Sequence, residues 1–423
     1  MSPPASERAE PIGSHVHVTH TLRPSYGART AQRAVLTTAL TTYAGEGQGE
    51  YMKARLRRLG IMAANTNPME SRMKEYIAFD SHKHYTLMER EDRQTARTVQ
   101  LRVAHQPGAI RTCLRNCESG TDVAVEATGN WYWIVSEIEQ AGLKPQLVHP
   151  RKAKLMMGLI NKTDKLDVHG LNRLQRNGTL PTVWIPPAEL RDQRELTRTR
   201  LVLVAQRTRL KNRLQSTLAK YGLAVRDCSD AFGTVARSQW PELLAQLPEQ
   251  TQWVSQQLLK QLDLLEEQIG QCEKRLNPLL KITPQIERLK SLPGVGLILG
   301  ASIALEIGEV SRFASAEHLA SYAGTTPRVH SSGDKLRFGR LRPDINRYLR
   351  WAFVEAANVV ALHHQQRPER HVSHLYWRLK QRKGHAKAIG AVARHLAEAT
   401  FHILSRQEDY VDPALRKGRS KPV

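Results

Sequence analysis

Two aspartates lie three positions apart in the segment NKTDKLDVHG (residues 161–170), at Asp164 and Asp167. Residues at this spacing share one face of a helix, so both carboxylates can point at the same place. Asp80 and Glu126 each stand at the end of a short apolar segment typical of a β-strand, YIAFD and TDVAVE. Four converging carboxylates repel one another, and two hard divalent cations relieve that repulsion. We therefore expect these four acids to bind Mg²⁺, as two ions, with Mn²⁺ as a substitute.

Phosphodiester chemistry is what such a site performs. Two ions about 4 Å apart clamp the attacking and leaving oxygens of the phosphate, as in the ribonuclease H-like nuclease fold. Each acid alone is weak evidence, because acids at strand ends are usually solvated. Lys162 and Lys165 next to the aspartates also allow a solvated helix face with salt bridges. The order strand-Asp, strand-Glu, helix D-x-x-D within a basic chain favours metal ligation.

A second group of chemically capable residues lies in TPRVHSSGDKLRFGRLRPDINRYLR (residues 326–350). A serine surrounded by cations can attack phosphorus while the cations offset the charge of the transition state. Ser331 and Ser332 are the candidates. The alternative is that S-S-G is only a turn, which the chemistry alone favours, with the arginines holding nucleic-acid backbone. The residues that we expect to bind nucleic acid here are Arg328, Lys335, Arg337, Arg340 and Arg347.

An α/β domain over residues 74–187 must position the acids. Helical spacing with a glycine stop predicts a helix at WYWIVSEIEQAG. Residues 151–176 are also expected to be helical. The predicted strands are YIAFD, HYTLMERE, ARTVQLRVA, TDVAVEATGN and KPQLVHP, with the early ones antiparallel.

A helical region follows over residues 188–284. Residues 188–220 form an Arg-rich helix, and residues 251–277 form a second helix that Pro278 is expected to end. The second helix carries a heptad seam, which predicts an antiparallel coiled-coil arm or a dimer contact, although ordinary core packing explains it almost as well. The seam residues are Leu258, Leu262, Leu265, Ile269, Cys272, Leu276 and Leu279.

The segment LKSLPGVGLILGASIALEIG (residues 289–308) fits a helix–hairpin–helix. Gly294 and Gly296 would let backbone N–H groups face a phosphate, and a simple turn between core helices is the alternative. This segment belongs to a mostly α-helical C-terminal domain over residues 285–405. Its basic stretch is also expected to bind nucleic acid, and a basic tail, residues 406–423, follows. The basic residues concerned are Lys383 and Lys387.

Composition points to a polyanionic partner. The formal net charge is +23 and the pI is about 10.1, for which nucleic acid is the usual explanation. The sequence contains no apolar run long enough for a membrane span and no evident signal peptide. Four scattered cysteines fit a reducing compartment. We expect a cytoplasmic, nucleoid-associated bacterial protein, in which residues 1–68 are disordered or a non-native extension before a start at Met69.

Six segments resemble the DEDD transposases of the insertion-sequence 110 family, in order, over about residues 74–405. The resemblance implies a RuvC-like (ribonuclease H-like) N-terminal domain, a helical coiled-coil insertion and a C-terminal transposase domain. It implies that Asp80, Glu126, Asp164 and Asp167 are the metal ligands. The segments are YIAFDSHK, VAVEATGNWYW, NKTDKLDVHGLNRL, LPGVG, LASYAGTTPRVHSSGDK and NRYLRWAFVEAA.

The same resemblance implies that Ser332, with Ser331 as its neighbour and rival, is a nucleophile that becomes linked to DNA. It further implies a homo-oligomer, from dimer to tetramer, with active sites shared between protomers. A structured guide RNA encoded beside the gene would pair with donor and target DNA. The expected function is excision and insertion of the protein's own insertion sequence. The alternatives are a RuvC-like metal-dependent nuclease on branched DNA and a non-catalytic nucleic-acid-binding relic.

Overall fold

The computed structural model describes residues 75–158, 163–280, 283–332, 335–341 and 344–413. The chain divides into two compact units, residues 1–184 and residues 185–423, and each is described by itself. The expectations for residues 1–68, for a start at Met69 and for the tail beyond residue 413 lie outside the described residues.

The first unit contains a mixed five-stranded sheet in the order β3-β2-β1-β4-β5. β1 pairs antiparallel with β2 and parallel with β4, and β5 runs parallel to β4. Every strand predicted from the apolar segments is present, and the architecture is consistent with an α/β nuclease-like domain. The strands are β1 (Glu75–Ser81), β2 (Tyr85–Asp92), β3 (Thr98–Ala104), β4 (Asp122–Glu126) and β5 (Lys144–Val148).

Helices join and cover these strands. The prediction of helical sequence throughout residues 151–176 is wrong at one point, because the first helix there ends at Gly158, whose φ of +61° favours glycine. The next helix begins at Asp164, where the Thr163 hydroxyl accepts a hydrogen bond from the Leu166 N–H at 3.3 Å. The helices are α1 (Ala109–Leu114), α2 (Trp131–Gln140), α3 (Pro150–Met157) and α4 (Asp164–Arg176).

The packing of α4 decides which face of the sheet carries the acids. Ala78 of β1 and Ala124 of β4 are register neighbours, and both are buried against α4 in one apolar cluster. Side chains alternate along a strand, so Asp80 and Glu126, each two residues further on, lie on this same face. The fold therefore places two acids at the carboxyl ends of adjacent parallel strands, on the side that α4 covers.

Two long helices dominate the start of the second unit. The prediction of a helix over residues 188–220 is confirmed, and α5 has these bounds. α8 runs antiparallel to it, since Arg200 pairs with Glu273 at 2.6 Å and Lys211 pairs with Glu266 at 3.2 Å. Supercoiling of these helices stays a prediction. The helices of this region are α5 (Ala188–Lys220), α6 (Thr234–Arg237), α7 (Trp240–Ala245) and α8 (Glu249–Leu280).

Four of the seven residues in the heptad seam of α8 face inward. Leu262, Leu265, Ile269 and Leu276 are all buried. The expectation that Pro278 ends the helix is wrong, because α8 continues to Leu280. A proline removes the hydrogen bond of its own nitrogen but does not prevent the next two residues from keeping helical dihedral angles.

The rest of the second unit is mostly helical, as expected, with one two-stranded hairpin that the sequence did not predict. Among the helices that the structure describes, none is long and apolar enough to cross a membrane. The elements are α9 (Pro284–Lys290), α10 (Leu297–Ile307), α11 (Ala316–Tyr322), β6 (Pro327–Ser332), β7 (Lys335–Leu341), α12 (Arg347–His363), α13 (His371–Lys383) and α14 (His385–Arg406).

Gly294 lies in the turn between α9 and α10. Its φ is +80°, and a Cβ at this position would clash with the carbonyl oxygen of Ala356 in α12. The close approach of two backbones therefore requires glycine here. This packing accounts for Gly294 without a ligand, and phosphate binding by the helix–hairpin–helix stays a prediction.

Candidate active site

The imidazole of His82 lies beside acids from both the end of β1 and the start of α4. The Nε2 atom of His82 lies 3.3 Å from Oδ2 of Asp80 and 3.2 Å from Oδ2 of Asp164. One ligand atom from each of these three residues falls within 4.8 Å of the others. Asp80 is only 7% exposed, whereas Asp164 is half-buried. The structure thus brings together two acids that are 84 positions apart in the chain.

The electrostatics add Asp167 to this group. Burial raises the pKa of the Asp80 carboxyl above its ordinary value, and the negative charges of Asp167 and Asp164 raise that pKa further. His82, by contrast, lowers the pKa of Asp80. Asp80, Asp164 and Asp167, three of the four acids predicted from the sequence, therefore interact in one local field.

Glu126 occupies the corresponding position on the next strand. Phe79 of β1 pairs in register with Val125 of β4, so Glu126 comes one step further at the level of Asp80. Neighbouring strands are about 4.8 Å apart, which puts the two backbones close together. Glu126 is half-buried at the end of β4. The position of the Glu126 backbone is therefore consistent with the prediction that Glu126 is the fourth acid of the site.

The loop after β4 is tied to the turn after β1. The Asn130 side-chain amide donates a hydrogen bond to the carbonyl oxygen of His82 at 2.9 Å. Thr128 donates its hydroxyl hydrogen to Oδ1 of the same asparagine at 2.8 Å. The two strand ends that carry Glu126 and Asp80 are consequently held together by side-chain hydrogen bonds as well as by the sheet.

Sequence reasoning missed two residues of this site, His82 and Tyr85. The Tyr85 hydroxyl donates a hydrogen bond to Oδ2 of Asp164 at 2.8 Å, and this bond raises the pKa of Tyr85. The Arg102 guanidinium lies 3.9 Å from the centre of the Tyr85 ring. A signal for His82 was present, because it follows Asp80 by two positions and an extended strand puts such residues on one face. Tyr85 offered no comparable signal.

The donor set fits a divalent cation. The His82 Nε2 atom is buried and forms no well-oriented hydrogen bond within the described part of the chain, although two carboxylate oxygens lie close to it. Carboxylates suit Mg²⁺ and Mn²⁺, and an imidazole is a better ligand for Mn²⁺ and later transition metals than for Mg²⁺.

The predicted serine nucleophile lies on the β6–β7 hairpin in the second unit. Ser332 pairs with Lys335 across the two strands, and Ser331 pairs with Leu336. The structure does not describe the side chains of either serine, of Lys335 or of Arg340. The remaining predicted basic residues are exposed at their positions, namely Arg328, Arg337, Arg347, Lys383 and Lys387.

A buried polar network anchors the base of this hairpin. The Asn346 N–H donates to the carbonyl oxygen of Tyr322 at 2.9 Å, which closes the chain around the hairpin. The Asn346 side-chain amide donates to Oε2 of Glu306 at 2.8 Å. Arg198 of α5 holds the same carboxylate through Nε at 2.7 Å and Nη2 at 3.0 Å. The hairpin is therefore attached to the long helix α5 through one fully buried glutamate.

Two family models match the chain. A model of DEDD transposases related to IS110 matches residues 77–222, which include all four predicted acids. A second model, described as the transposase IS116/IS110/IS902 family, matches residues 286–373, which include Ser332. Together the two models cover more than half of the chain. The chain belongs to the IS110 family of DEDD transposases.

Individual relatives agree with this assignment. The transposase is 26% identical over 292 residues to a probable family 20 transposase of Pseudomonas aeruginosa, covering 68% of this chain and 85% of that protein. It is 27% identical over 295 residues to the transposase for insertion sequence element IS1111A of Coxiella burnetii, covering 68% and 79%. A pilin gene-inverting protein of Moraxella bovis is 26% identical over 219 residues, covering 49% and 57%.

Family membership makes this transposase an enzyme of transposition and recombination that cleaves and transfers DNA strands, with DNA as its partner. It also agrees with a divalent-metal requirement at the acid cluster of the first unit, where the structure brings Asp80, His82 and Asp164 together.

Proposed function

We propose that this transposase excises and inserts its own insertion sequence by DNA strand exchange at a RuvC-like metal site. Asp80, Glu126, Asp164 and Asp167 are the metal ligands. The observation that carries the proposal is that Asp164 and Asp167 of α4 act on Asp80 at the end of β1, where burial and like charge raise the pKa of Asp80. A cation removes that repulsion, whereas a structural role for the cluster leaves it in place.

The residues around the acids act as positioning groups. Divalent ions, Mg²⁺ or Mn²⁺, supply charge neutralisation of the phosphate and activation of an oxygen nucleophile when they are bound. The Tyr85 hydroxyl holds one oxygen of Asp164 and so orients the carboxylate at the start of α4. Asn130 holds the His82 backbone and keeps the imidazole beside the two acids.

Ser332 is the proposed nucleophile of the transfer step. Its hydroxyl oxygen forms a bond to phosphorus and loses its proton, while the bond from phosphorus to the neighbouring nucleoside oxygen breaks and that oxygen takes a proton. A hydroxyl of a second DNA strand then displaces the serine in the reverse of this exchange. The exposed Arg328 and Arg337 on the same hairpin support the proposal, since cations there offset phosphate charge.

A guide RNA and self-association complete the proposed function. The net charge of +23 suits a protein that holds RNA as well as DNA. Exposed basic residues on α13 and α14, Lys383 and Lys387, support a phosphate contact. The proposed assembly is a homo-oligomer, dimer to tetramer, whose long antiparallel helices α5 and α8 offer contact surface.

A trapping assay tests the nucleophile. The full chain, RNA transcribed from the flanks of its gene, Mg²⁺ and junction DNA are incubated and separated on a denaturing gel. The proposal predicts a protein–DNA adduct with the wild type and with Ser331→Ala, and no adduct with Ser332→Ala. Cleaved DNA without an adduct in every variant contradicts it and indicates a hydrolytic nuclease.

A further inference from the structure

Three cavities with lining residues in common lie in the second unit beside α13. A cavity of about 610 Å³ is lined by residues 290–299 together with Val359 and Arg370. A second cavity, of about 280 Å³, shares Gly294, Val359 and Arg370 with the first. A third, of about 310 Å³, shares Ser373 with the second and ends at Trp377. The first two cavities share three lining residues, and the third adjoins the second at the buried Ser373; we call the three together the α13 groove.

The charge of the α13 groove has one sign. No acidic residue is found among the described side chains that line its three cavities. Arg367 is exposed and Arg370 is half-buried in its central part. Lys290 contributes less, because its ammonium group pairs with Glu287 at 2.8 Å. A groove of this charge attracts phosphates.

An exposed indole ends the groove. Trp377 is 46% exposed, although large aromatic side chains usually bury most of their surface. The His364 ring stacks on it at 5.5 Å between centroids, with an interplanar angle of 23°. The Lys380 ammonium lies 5.7 Å from the centre of the indole. The indole is thus supported by a neighbouring ring, has a cation beside it, and still presents apolar surface to the third cavity.

We propose that the α13 groove binds a single-stranded nucleic-acid segment, with phosphates at Arg367 and Arg370 and one unpaired base stacked on Trp377. Base stacking on aromatic side chains along a basic groove is the usual way to hold single strands without sequence readout. A duplex cannot make this contact along its length, since the faces of its bases are already stacked. The inference rests on the proposed function, because strand exchange and a folded RNA both expose unpaired nucleotides.

Fluorescence anisotropy with labelled oligonucleotides measures the contact. Oligothymidine and oligouridine of about 12 nucleotides, a length within the range of known single-strand sites, serve as DNA and RNA probes. Trp377→Ala should weaken binding of at least one probe by about 5- to 150-fold, the range found for the loss of one stacked base. Trp377→Phe should retain most of the affinity. The probe with the larger loss identifies the strand as DNA or RNA.

A matched control is available in the same chain. Trp253 is 60% exposed on α8 and does not line the groove. Trp253→Ala should leave both affinities unchanged. In the same assay, Arg367→Gln should reduce the slope of log K against log salt by about 0.7, the value for one phosphate on a single strand.

Photo-crosslinking separates this groove from other basic surfaces. An oligonucleotide with 5-iodouracil is irradiated with the wild-type protein, and the adduct is mapped by proteolysis and mass spectrometry. The expected adduct lies in residues 371–378, which contain Trp377. The proposal is overturned if Trp377→Ala binds like Trp253→Ala, or if a duplex of equal length binds better than both single strands and no adduct maps to these residues.

The outcome is distinct from that of the trapping assay. A wild-type protein that forms the Ser332 adduct, while Trp377→Ala keeps full oligonucleotide affinity, refutes only the groove. Weakened binding by Trp377→Ala, with no adduct from the wild type, refutes only the serine mechanism.

Discussion

Asp80 of the first unit and Glu306 of the second are both buried acids with opposite surroundings. Glu306 is fully buried and meets Arg198 through two hydrogen bonds, with Asn346 on the same carboxylate. Asp80 is 7% exposed and faces Asp164 and Asp167, with one imidazole nearby.

The two sites differ in the source of the positive charge that balances each carboxylate. Burying a charge is costly unless it is paired. The fold pairs Glu306 with Arg198 and, at 3.8 Å, with Arg194 of the same helix, so that carboxylate serves to join the long helix α5 to the base of the hairpin. Asp80 meets further acids instead, which supports our proposal that a cation from solution neutralises it. The structure therefore gives Glu306 a structural role, whereas for Asp80 we propose a functional one.

Substitution of Asp80 should give the largest effect on activity. Asp80→Asn is expected to lower strand transfer roughly a thousandfold or more, because it removes charge from the centre of the proposed metal site. Its free energy of unfolding should stay equal to the wild-type value or rise, because like-charge repulsion is relieved. Strand-transfer rates and urea denaturation check the two parts. A destabilised Asp80→Asn protein would show that the acid stabilises the fold.

Substitution of Glu306 should give the largest effect on stability. Glu306→Ala leaves the Arg198 guanidinium and the Asn346 amide without their carboxylate. Removing one partner of a buried ion pair costs about 3–5 kcal/mol in unfolding free energy. Urea denaturation of Glu306→Ala beside Arg394→Ala measures this cost, because Arg394 is exposed and its ion pair with Glu398 should matter little. Equal stability of both variants would contradict the structural role.

Divalent metal should raise the stability of the folded protein by binding at Asp80. At a Mn²⁺ concentration one hundred times the Kd, the folded state should gain about 2.7 kcal/mol. The resulting increase in Tm should appear with the wild type, disappear with EDTA and be absent from Asp80→Asn. Differential scanning fluorimetry detects it without any measurement of activity. The same increase in Asp80→Asn would place the metal elsewhere.

Loss of the Tyr85 hydroxyl should have the smallest effect. Tyr85→Phe removes the hydrogen bond to Asp164, which is half-buried, and should lower stability only slightly. Loss of a group that orients a metal ligand lowers metal affinity by about 10- to 100-fold. Titration with Mn²⁺ in the fluorimetry assay compares Kd values. An unchanged Kd would mean that Asp164 does not need this orientation.

The sequence alone determined the local features of the transposase. Short apolar or alternating segments predicted each strand of the first unit, and the Arg-rich segment 188–220 was predicted as a helix with the bounds that α5 has. The D-x-x-D spacing predicted that Asp164 and Asp167 would share one face of a helix, and the structure places both in the first turn of α4. These features depend on backbone periodicity over a few residues, which neighbouring side chains largely specify.

Only the tertiary structure decided which distant residues meet. His82 and Tyr85 join Asp164 because α4 packs on one particular face of the sheet. The same is true of the contact between Gly294 and Ala356, and of the groove that ends at Trp377. Contacts between residues far apart in the chain depend on how whole elements pack, and no local period in the sequence records that packing.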